Sequence, residues 1–339
     1  MPKDIRRMKN IKRDKGLETF WKERQKITCF DQILDTVKNF QLRRVAIACA
    51  QNEDVLMAAS EALEKEVADY ILVGDRDLIL KMAEIHKLEI DESAIVHEPS
   101  ALKAAARCVE LVHENAADIV MKGYIHTDDF LRAILNRERG LRTGSIMSHV
   151  FIAEIRHMNK LLFIADGAMN IAPDLTTKAD IILNTSHVAA MFGLDNPNVA
   201  ILAAVELVNP SMPVTIEAAT LAKMCQRRQF STNCTIDGPF ALDNAISAHS
   251  AELKKVGGPV AGKADILIVP DIEAGNILAK SLVYFAGADL AGVLVGAKVP
   301  VVLTSRSDNA RSKLFSIATA VMMSNYQREV QLKIGKVYF

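Results

Sequence analysis

The sequence predicts an α/β protein with more than one domain, and three observations lead to this class. Apolar runs of strand length alternate with amphipathic helical patterns from about residue 27, as in "RRVAIACA" followed by "DVLMAASEALEKEVA". After Gly140, the strands "HVFIAEI" and "KLLFIAD" are separated by a few polar residues, which suits an antiparallel hairpin and cannot hold a crossover helix. The 339 residues also exceed the ~250–300 at which a single core stops growing.

The remaining elements follow from the same periodicities in chain order. Mostly apolar runs predict strands at "DYILVGD", "ADIVMKG", "NVAILAAVEL", "TNCTIDG" and "ADILIVPD". Apolar residues at helical spacing predict helices at "RDLILKMAEIH", "DDFLRAILNRE", "ADIILNTSHVAAMFG", "TIEAATLAKMCQRR" and "LDNAISAHSAELKK". Near the end, "LAGVLVGAK" and "VPVVLTS" follow each other with almost no turn, which indicates that the chain leaves one domain and re-enters the other.

The predicted organisation is one extension and two domains. Residues 1–26 form a basic N-terminal extension, and residues 27–146 together with 297–339 form a discontinuous first domain. Residues 147–296 form a second α/β domain with a mixed sheet. A last helix, from about Asn309 to Tyr326, completes the first domain.

The charge and cysteine content restrict the partners and the compartment. Lys and Arg number 41 against 41 Asp and Glu, so no overall field points to nucleic acid or to an anionic membrane. Although the extension holds ten basic and four acidic residues, we interpret it as a solvated tail. Five scattered cysteines without a CxxC or Cys/His cluster favour reduced thiols, and no apolar run approaches the ~20 residues of a membrane span. We therefore expect a cytoplasmic protein that binds neither nucleic acid nor membrane.

Two nucleotide-binding patterns are excluded. The segment "GGPVAGKA" nearly matches a phosphate-binding P-loop, but Ala264 has no hydroxyl to hold magnesium. The segment also precedes a strand, whereas a P-loop follows a strand and opens a helix. No G-x-G-x-x-G follows a strand, so the dinucleotide fingerprint is absent from the sequence as well.

Polar residues follow several predicted strands, where open α/β sheets bind their ligands. Lys122, His126 and Thr127 follow "ADIVMKG", and Thr127 is placed to be the N-cap of the next helix. A structural role is as probable as a functional one for His126 and is favoured for Lys122. Turn-forming residues follow other strands at Asp166, Asn170, Asp237, Asp271, Gly275 and Asn276. None of these groups has metal-ligand spacing, so no metal is predicted.

The strongest candidate site lies in "VPVVLTSRSDNARSK", residues 299–313. A buried strand ends there, and a helix begins, which offers unpaired N–H groups and a partial positive charge. The guanidinium of Arg306 can bind phosphate or carboxylate through two parallel hydrogen bonds. The alternative is a plain helix start capped by Ser307, Asp308 or Asn309, with solvated arginines. Arg142, between two glycines in "GLRTG", is ambiguous in the same way.

Several longer segments together resemble the phosphate acetyl/butyryltransferase family, and their sequences are most similar to its butyryltransferase branch. They are "HTDDFLRAILNRERGLRTG", "LLFIADGAMNIAPDL", "DGPFALDNAIS", "PVAGKADILIVP" and "SLVYFAGADLAGVLVGAKVPVVLTSRSD". The resemblance implies an isocitrate/isopropylmalate dehydrogenase-like fold of two α/β domains with the active site in the interdomain cleft. It also implies an acyltransferase that acts on acyl-CoA and inorganic phosphate without a cofactor or metal, as a homodimer or larger homo-oligomer, functionally coupled to an acyl (butyrate) kinase.

The resemblance also implies roles for individual residues. Ser305 would contact the thioester oxygen, Arg306 the phosphate, and Arg132 the CoA. The family's "D-G-P" and "G-N" elements fall on Asp237 and on Gly275 with Asn276, as residues that line the substrate site.

The predicted substrate site is completed by four further residues: His126, Thr127, Arg142 and Asp308. One departure concerns the base: acetyltransferase members carry an aspartate seven residues after the serine, and here that position is Ser312. Asp308, one helical turn away, is a candidate replacement. The chemistry tolerates the loss, because phosphate is already an anionic nucleophile and a thiol of pKa near 8.5 leaves readily.

We therefore predict a phosphate butyryltransferase in which phosphate attacks a short-chain acyl-CoA directly in a ternary complex. A phosphate acetyltransferase is the first alternative, because pocket size cannot be read from one sequence. A catalytically silent acyl-CoA or phosphate-binding protein on the same scaffold is the second. A dehydrogenase of the same general fold is the third, and the missing cofactor fingerprint disfavours it.

Overall fold

The computed structural model describes residues 21, 23–330 and 337–338. Most of the predicted basic extension, residues 1–20 and 22, lies outside the described residues. The described chain is a mixed α/β protein that divides into two compact units. One unit comprises Phe30–Ser145 together with Ala291 to the end of the last helix, and the other is mainly Ile146–Leu290.

Helices and strands alternate from Phe30 to Ile134, as the periodicity predicts. The elements are α1 (Phe30–Val37), β1 (Arg43–Ala48), α2 (Glu53–Glu64), β2 (Ala68–Gly74), α3 (Arg76–Ile85), β3 (Ile95–His97), α4 (Ala101–His113), β4 (Ile119–Lys122) and α5 (Thr127–Ile134). Side-chain caps set several helix starts. The Asn52 side chain accepts a hydrogen bond from the Val55 N–H, and the Asp75 side chain accepts from the Asp77 and Leu78 N–H groups.

The second stretch begins with two strands and continues with helices between strands. Its elements are β5 (Ser148–Glu154), β6 (Leu161–Ala165), α6 (Leu175–Met191), β7 (Asn198–Leu202), α7 (Pro213–Gln226), β8 (Thr235–Phe240), α8 (Leu242–Ile246), α9 (Ala248–Leu253), β9 (Ile266–Ile268) and α10 (Ile272–Ala286). The predicted single helix "LDNAISAHSAELKK" is wrong. Ser247 has an extended backbone and its side chain accepts from the Ser250 N–H, so it ends α8 and caps α9.

The chain then adds β10 (Asp289–Val295), β11 (Val301–Val302) and α11 (Ala310–Val330). Helix α11 is buried nearly all round from Ser312 to Asn325, which explains its weak amphipathic pattern. The ring of Phe315 stacks on Phe30 of α1 at a centroid distance of 4.3 Å. The guanidinium of Arg43 on β1 donates to the Asn325 side chain at 2.6 Å. These contacts attach the C-terminal helix to elements from the start of the chain.

The strands of the first unit lie in the order β3-β2-β1-β4-β11-β10. The pairs β2–β3, β1–β2, β1–β4 and β4–β11 are parallel, and β10 is antiparallel to β11. The strands of the second unit lie in the order β5-β6-β9-β7-β8. The predicted hairpin is confirmed, because β5 and β6 pair antiparallel, with Phe151 opposite Ile164. The other three pairs in this unit are parallel.

The register of the first unit decides where its polar residues meet. Ala48 of β1 lies opposite Lys122 of β4, and Met121 lies opposite Val302 of β11. All three strands run in the same direction, so their carboxyl ends lie at one edge of the sheet.

Among the described residues, no helix is long and apolar enough to cross a membrane.

Candidate anion-binding site

Three strand ends bring the strongest predicted residues together in the first unit. Strand β4 ends in Lys122 and strand β11 is followed by Leu303, Thr304 and Ser305. Gly123 allows the backbones to approach closely, since a Cβ there would lie 2.4 Å from the Ala48 carbonyl oxygen. The segment 303–309 begins at the carboxyl end of β11, beside the carboxyl end of β4, and α/β sheets bind ligands at such ends.

Arg306 is the exposed cation of this site. One of its guanidinium nitrogens, Nη1, lies 3.4 Å from Nε2 of His126, and its Cζ lies 5.8 Å from the centre of the Tyr124 ring. Both neighbours come from the loop that follows β4. The structure thus brings Arg306 and His126 together, as two of the residues predicted from sequence, and an aromatic face holds the guanidinium while it stays open to solvent.

The turn from Ser305 to Asp308 is held by its own side chains. The Ser305 N–H donates to Oδ2 of Asp308 at 2.7 Å. The Ser305 and Ser307 hydroxyl oxygens are 3.0 Å apart, and the Ser307 N–H lies 3.4 Å from Oγ of Ser305. Because Ser305 Oγ can accept from Ser307, its own proton is available to a ligand. Asp308, by contrast, has its carboxylate engaged in the turn.

The helix start itself is capped by a different residue. The Asn309 side chain accepts from the Ser312 N–H at 2.8 Å, and Asp54 of α2 accepts from the Ala310 N–H at 3.1 Å. Of the three caps left open by the sequence, Asn309 is therefore the one that caps α11. Asn309 caps the helix, whereas Arg306 takes no part in the cap, so the Arg306 guanidinium is available to a ligand.

Lys122 is buried directly behind this turn, with 2% of its surface exposed. Its Nζ donates to the Thr304 carbonyl oxygen at 3.1 Å. Burial, together with the smaller effect of the positive charges of Arg306 and Lys313, lowers the pKa of Lys122 to about 8, against opposing contributions from Asp308 and Cys49. A lysine charge is thus held at the carboxyl end of β4 in surroundings that disfavour it.

A second buried lysine, Lys313, lies one turn into α11 with 2% of its surface exposed. Its ammonium donates to the Asp308 carbonyl oxygen. Burial lowers its pKa, while Asp308 and Asp54 act in the opposite direction. Two buried ammonium groups and one exposed guanidinium therefore surround a turn with a single carboxylate of its own, which is an environment that favours an anionic ligand.

His126 and Thr127, two of the predicted site residues, lie at the start of α5 but have different roles in the helix start. His126, not Thr127, is the N-cap: the His126 carbonyl accepts the first helical hydrogen bond, from the Phe130 N–H at 3.1 Å. The prediction of Thr127 as the cap is wrong by one residue, since Thr127 is the first helical residue. The His126 side chain makes no capping hydrogen bond, which leaves its ring free to face Arg306.

The two remaining arginines of the prediction are exposed elsewhere in the same unit. The Arg132 side chain is 69% exposed in the last turn of α5 and lies 3.7 Å from a carboxylate oxygen of Asp129. Arg142 is exposed on a short antiparallel bridge, where its backbone pairs with Ala297. These geometries leave both side chains accessible to a ligand, and their roles in substrate binding remain predictions.

Gly275 and Asn276 lie in the second unit, at the start of α10. A Cβ on Gly275 would come within 2.8 Å of the Gly167 Cα and 2.9 Å of the Asp166 carbonyl oxygen. The Asn276 side chain donates to the Gly167 carbonyl at 3.2 Å. Gly275 and Asn276 therefore both contact the loop after β6. Their role in lining the substrate site remains a prediction.

That loop is organised by Asp166, which is buried. Its Oδ1 accepts from the Ala168 and Met169 N–H groups at 3.0 and 2.9 Å. Its Oδ2 accepts from the His149 N–H at 3.0 Å and from the Asn170 amide at 2.6 Å. Four donors leave this carboxylate little capacity for a ligand.

Asp237, the third predicted residue of the second unit, lies in β8 and is partly buried. Its Oδ1 accepts from the Gly238 N–H at 2.9 Å, and a Cβ on Gly258 would lie 2.4 Å from its Oδ2. Burial raises the pKa of Asp237, against the effect of the Gly238 hydrogen bond. Over the described residues, no group of three or more His, Cys, Asp or Glu side chains could hold a metal ion.

Sequence reasoning missed the lysines and the hydroxyl that lie beneath Arg306. The sequence pattern favours a structural role for Lys122 and indicates no site for Lys313 or Thr304, although Lys122 ends an apolar strand "IVMK" that is wholly buried. A lysine inside a buried apolar run is the signal that could have found it, because lysine is almost never fully buried without a partner. Lys313 gave no such signal, since it sits in a helix whose full burial the sequence did not reveal.

Known proteins resemble this chain over most of its length. The sequence profile of a family described as "Phosphate acetyl/butaryl transferase" matches residues 96–321. A phosphate butyryltransferase from Clostridium acetobutylicum is 46% identical over 298 residues, 88% of this chain and 99% of that protein. A phosphate acetyltransferase from Rhizobium meliloti is 43% identical over 83% of this chain and 89% of that protein. The crystal structure of a branched-chain phosphotransacylase from Enterococcus faecalis V583 superposes with a TM-score of 0.73 at 34% identity, covering 84% of this chain and 99% of that one.

Proposed function

Because the chain belongs to the phosphate acetyl/butyryltransferase family, we propose that it is a phosphate butyryltransferase. The reaction is butanoyl-CoA plus phosphate to butanoyl phosphate plus CoA, in either direction. The observation that carries the assignment to this site is the exposed guanidinium of Arg306, held by His126 and Tyr124 at the ends of β4 and β11. A planar guanidinium that is open to solvent can bind two oxygens of a phosphate through two parallel hydrogen bonds.

In the forward reaction, a phosphate oxygen attacks the thioester carbon. The new C–O bond forms, the C–S bond breaks, and the electron pair leaves on the CoA sulfur as a thiolate. Arg306 holds the phosphate, and orientation of two bound reactants is worth as much as about 7–11 kcal/mol in favourable cases. The chain's own task is therefore mainly to bind and align the two substrates.

Ser305 fits the role of donor to the thioester oxygen. Its hydroxyl oxygen accepts from Ser307, so its proton can be directed at the oxyanion that forms during attack. Removal of one such donor typically costs about 3–4 kcal/mol of transition-state stabilisation. Ser305→Ala is expected to lower kcat while leaving the binding of phosphate nearly unchanged.

Ser312 stands where acetyltransferase members carry the aspartate base, and its surroundings agree with this mechanism. Ser312 is buried in the first turn of α11, where its N–H donates to Asn309 and its carbonyl accepts from the Ser316 hydroxyl at 2.7 Å. The forward reaction requires no base at this place, because phosphate carries its negative charge before it attacks. Asp308 is a weak replacement, since its carboxylate accepts from the Ser305 N–H.

The test is release of free thiol from butyryl-CoA with and without inorganic phosphate. The proposal predicts release that saturates with phosphate and with the thioester, and formation of an equal amount of acyl phosphate. Absence of phosphate-dependent release across thioesters of two to five carbons would overturn the proposal and favour a silent binding protein.

A phosphate acetyltransferase is the second candidate, favoured by the 43% identity to the Rhizobium meliloti enzyme. One methylene discriminates by only about 1–3 kcal/mol in an apolar pocket, so kcat/KM for acetyl-, butyryl- and branched-chain thioesters must be compared directly. The butyryl assignment predicts at least about a tenfold preference for the four-carbon thioester over the two-carbon one.

The proposal extends to assembly and surroundings. We expect an isocitrate/isopropylmalate dehydrogenase-like fold, a cytoplasmic location, no cofactor, and an acyl kinase that consumes the acyl phosphate. A homo-oligomer is supported by α10, which exposes three large apolar side chains: Ile277, Tyr284 and Phe285. Phe285, at 89% exposure, is the most exposed of the three. Sedimentation of Phe285→Glu against the wild type tests this: the variant should be smaller, and equal sizes would count against an interface there.

A further inference from the structure

Two buried polar groups near Arg306 have no role in the reaction proposed for this site. One is the ammonium of Lys122, which the fold holds beside two other cations. The other is the hydroxyl of Thr304, which is buried and finds no hydrogen-bond partner among the described residues. A buried hydroxyl without a partner is unfavourable, so a ligand oxygen is the natural group to complete it.

We infer that Lys122 binds the phosphoryl group of the substrate together with Arg306, and that the Thr304 hydroxyl donates to the same group. This inference rests on the proposed function and deepens it, because it adds the residues that bind the phosphate from the protein side. Lys122 and Thr304 are already joined, since the Lys122 Nζ donates to the Thr304 carbonyl at 3.1 Å.

The charges around Lys122 favour an anion with more than one negative charge. The groups that act on its ammonium are Arg306, Lys313, Asp308 and the Cys49 thiol. Two carboxylates act on these three cations: Asp308, which also accepts from the Ser305 N–H, and Asp54, which acts on Lys313. A phosphate dianion placed against Lys122 and Arg306 would remove the repulsion between them.

Proton binding provides a second consequence. Without a ligand, burial lowers the pKa of Lys122 to about 8, so the amine loses its proton as the pH rises through that value. An adjacent anion favours the charged form and raises the pKa again. Phosphate binding should therefore take up a proton near pH 8, and phosphate affinity should fall as the pH rises above about 8.

If Lys122 had only a structural role, its removal would lower stability and leave the phosphate KM unchanged. The chain offers a matched case in Lys160, whose Nζ donates to the Ala264 carbonyl at 2.5 Å and to Asp265 at 3.2 Å. Lys160 likewise donates to a backbone carbonyl next to a strand, here before the start of β9, but it has an acidic partner and lies in the other unit. Removal of Lys160 therefore serves as the control for loss of a lysine that only supports the backbone.

The experiment measures KM for phosphate and for butyryl-CoA, and the unfolding midpoint, in Lys122→Met, Lys122→Arg and Lys160→Met. We expect Lys122→Met to raise the phosphate KM by about tenfold or more at unchanged butyryl-CoA KM, because a charged hydrogen bond is lost. Lys122→Arg should recover part of the loss. Lys160→Met should leave both KM values unchanged. A Lys122→Met enzyme that is less stable but keeps its phosphate KM would overturn the inference.

A measurement on the wild type covers the case in which Lys122→Met does not fold. Calorimetry of inorganic phosphate at about pH 8.5, in two buffers of different ionisation heat, reports protons taken up on binding. Uptake that is reduced in Thr304→Val or absent in Lys122→Arg supports the inference, and binding without uptake in the wild type contradicts it. The thiol-release assay tests the proposed function by itself, so phosphate binding without turnover separates failure of the two proposals.

Discussion

Two groups of polar residues follow parallel strands, one in each unit, and they use their hydrogen-bonding capacity in opposite ways. In the second unit, the Asp166 carboxylate accepts from four donors of its own surroundings. In the first unit, Lys122 and Arg306 carry charges that repel each other, and the Thr304 hydroxyl has no partner among the described residues. The loop around Asp166 is complete without a ligand, whereas the site around Arg306 is not.

This contrast separates binding residues from turn residues at strand ends. Both groups contain the residue types that turns and ligand sites share, so composition does not distinguish them. What distinguishes them is whether the protein itself satisfies the polar atoms. Substitutions in the Asp166 loop should therefore affect stability more than activity, and substitutions at Arg306 should do the reverse.

The largest effect is expected on stability, from Asp166→Ala. Four donors, including the His149 N–H and the Asn170 amide, lose their acceptor in partly or fully buried surroundings. We expect a loss of about 3–5 kcal/mol in the free energy of unfolding. Urea unfolding at neutral pH measures it. A loss below about 1 kcal/mol would show that the loop does not depend on this carboxylate.

Arg306→Ala should give the next largest effect, on activity and not on stability. The guanidinium is exposed and lies against His126 and Tyr124, so the fold loses little when it is removed. Loss of a paired phosphate contact should lower kcat/KM by about 10²–10³-fold, mainly through phosphate. Initial rates at varied phosphate, beside a thermal unfolding curve, check both halves. Unchanged turnover would remove Arg306 from the site.

A smaller effect tests the close approach of Gly275 to Gly167. A Cβ at Gly275 would lie 2.8 Å from the Gly167 Cα, so backbone has to move, and Gly275→Ala should cost about 1–3 kcal/mol of stability. Gly257→Ala is the matched control, since a Cβ there has nothing within 4 Å. Equal unfolding midpoints for the two variants would contradict the packing described for the loop.

The sequence was sufficient for the strong periodic elements and for the exposed part of the site. Alternating apolar runs gave the α/β class, and spacing gave the β5–β6 hairpin. Arg306 was found because a guanidinium at a strand-to-helix junction is informative without neighbours. Lys122 and Thr304 required the pairing of β4 with β11, whose residues are some 180 positions apart in the chain. Such a contact depends on register between distant strands, and no local pattern encodes it.

The errors have equally local causes. The helix break at Ser247 was missed because a serine side chain competed successfully with the backbone for the Ser250 N–H. Propensity predicts Thr127 as the cap, because threonine is a better cap than histidine. The structure places the extended residue at His126, whose carbonyl begins the helical hydrogen bonds. In both cases, propensity pointed to a residue type and the backbone decided the position.

The smallest expected effect separates capping from binding at the start of α11. Asn309 accepts from the Ser312 N–H, so Asn309→Ala should cost about 1 kcal/mol of stability, whereas Thr127→Ala, at a position that does not cap, should cost less than about 0.5 kcal/mol. Chemical denaturation resolves the two values. Because Asn309 caps the helix while Arg306 faces solvent, Asn309→Ala should also keep the phosphate KM within about twofold of the wild type. A large rise in that KM would mean that the helix start itself binds the phosphate, and the boundary between the structural and the functional part of this turn would then lie further along α11.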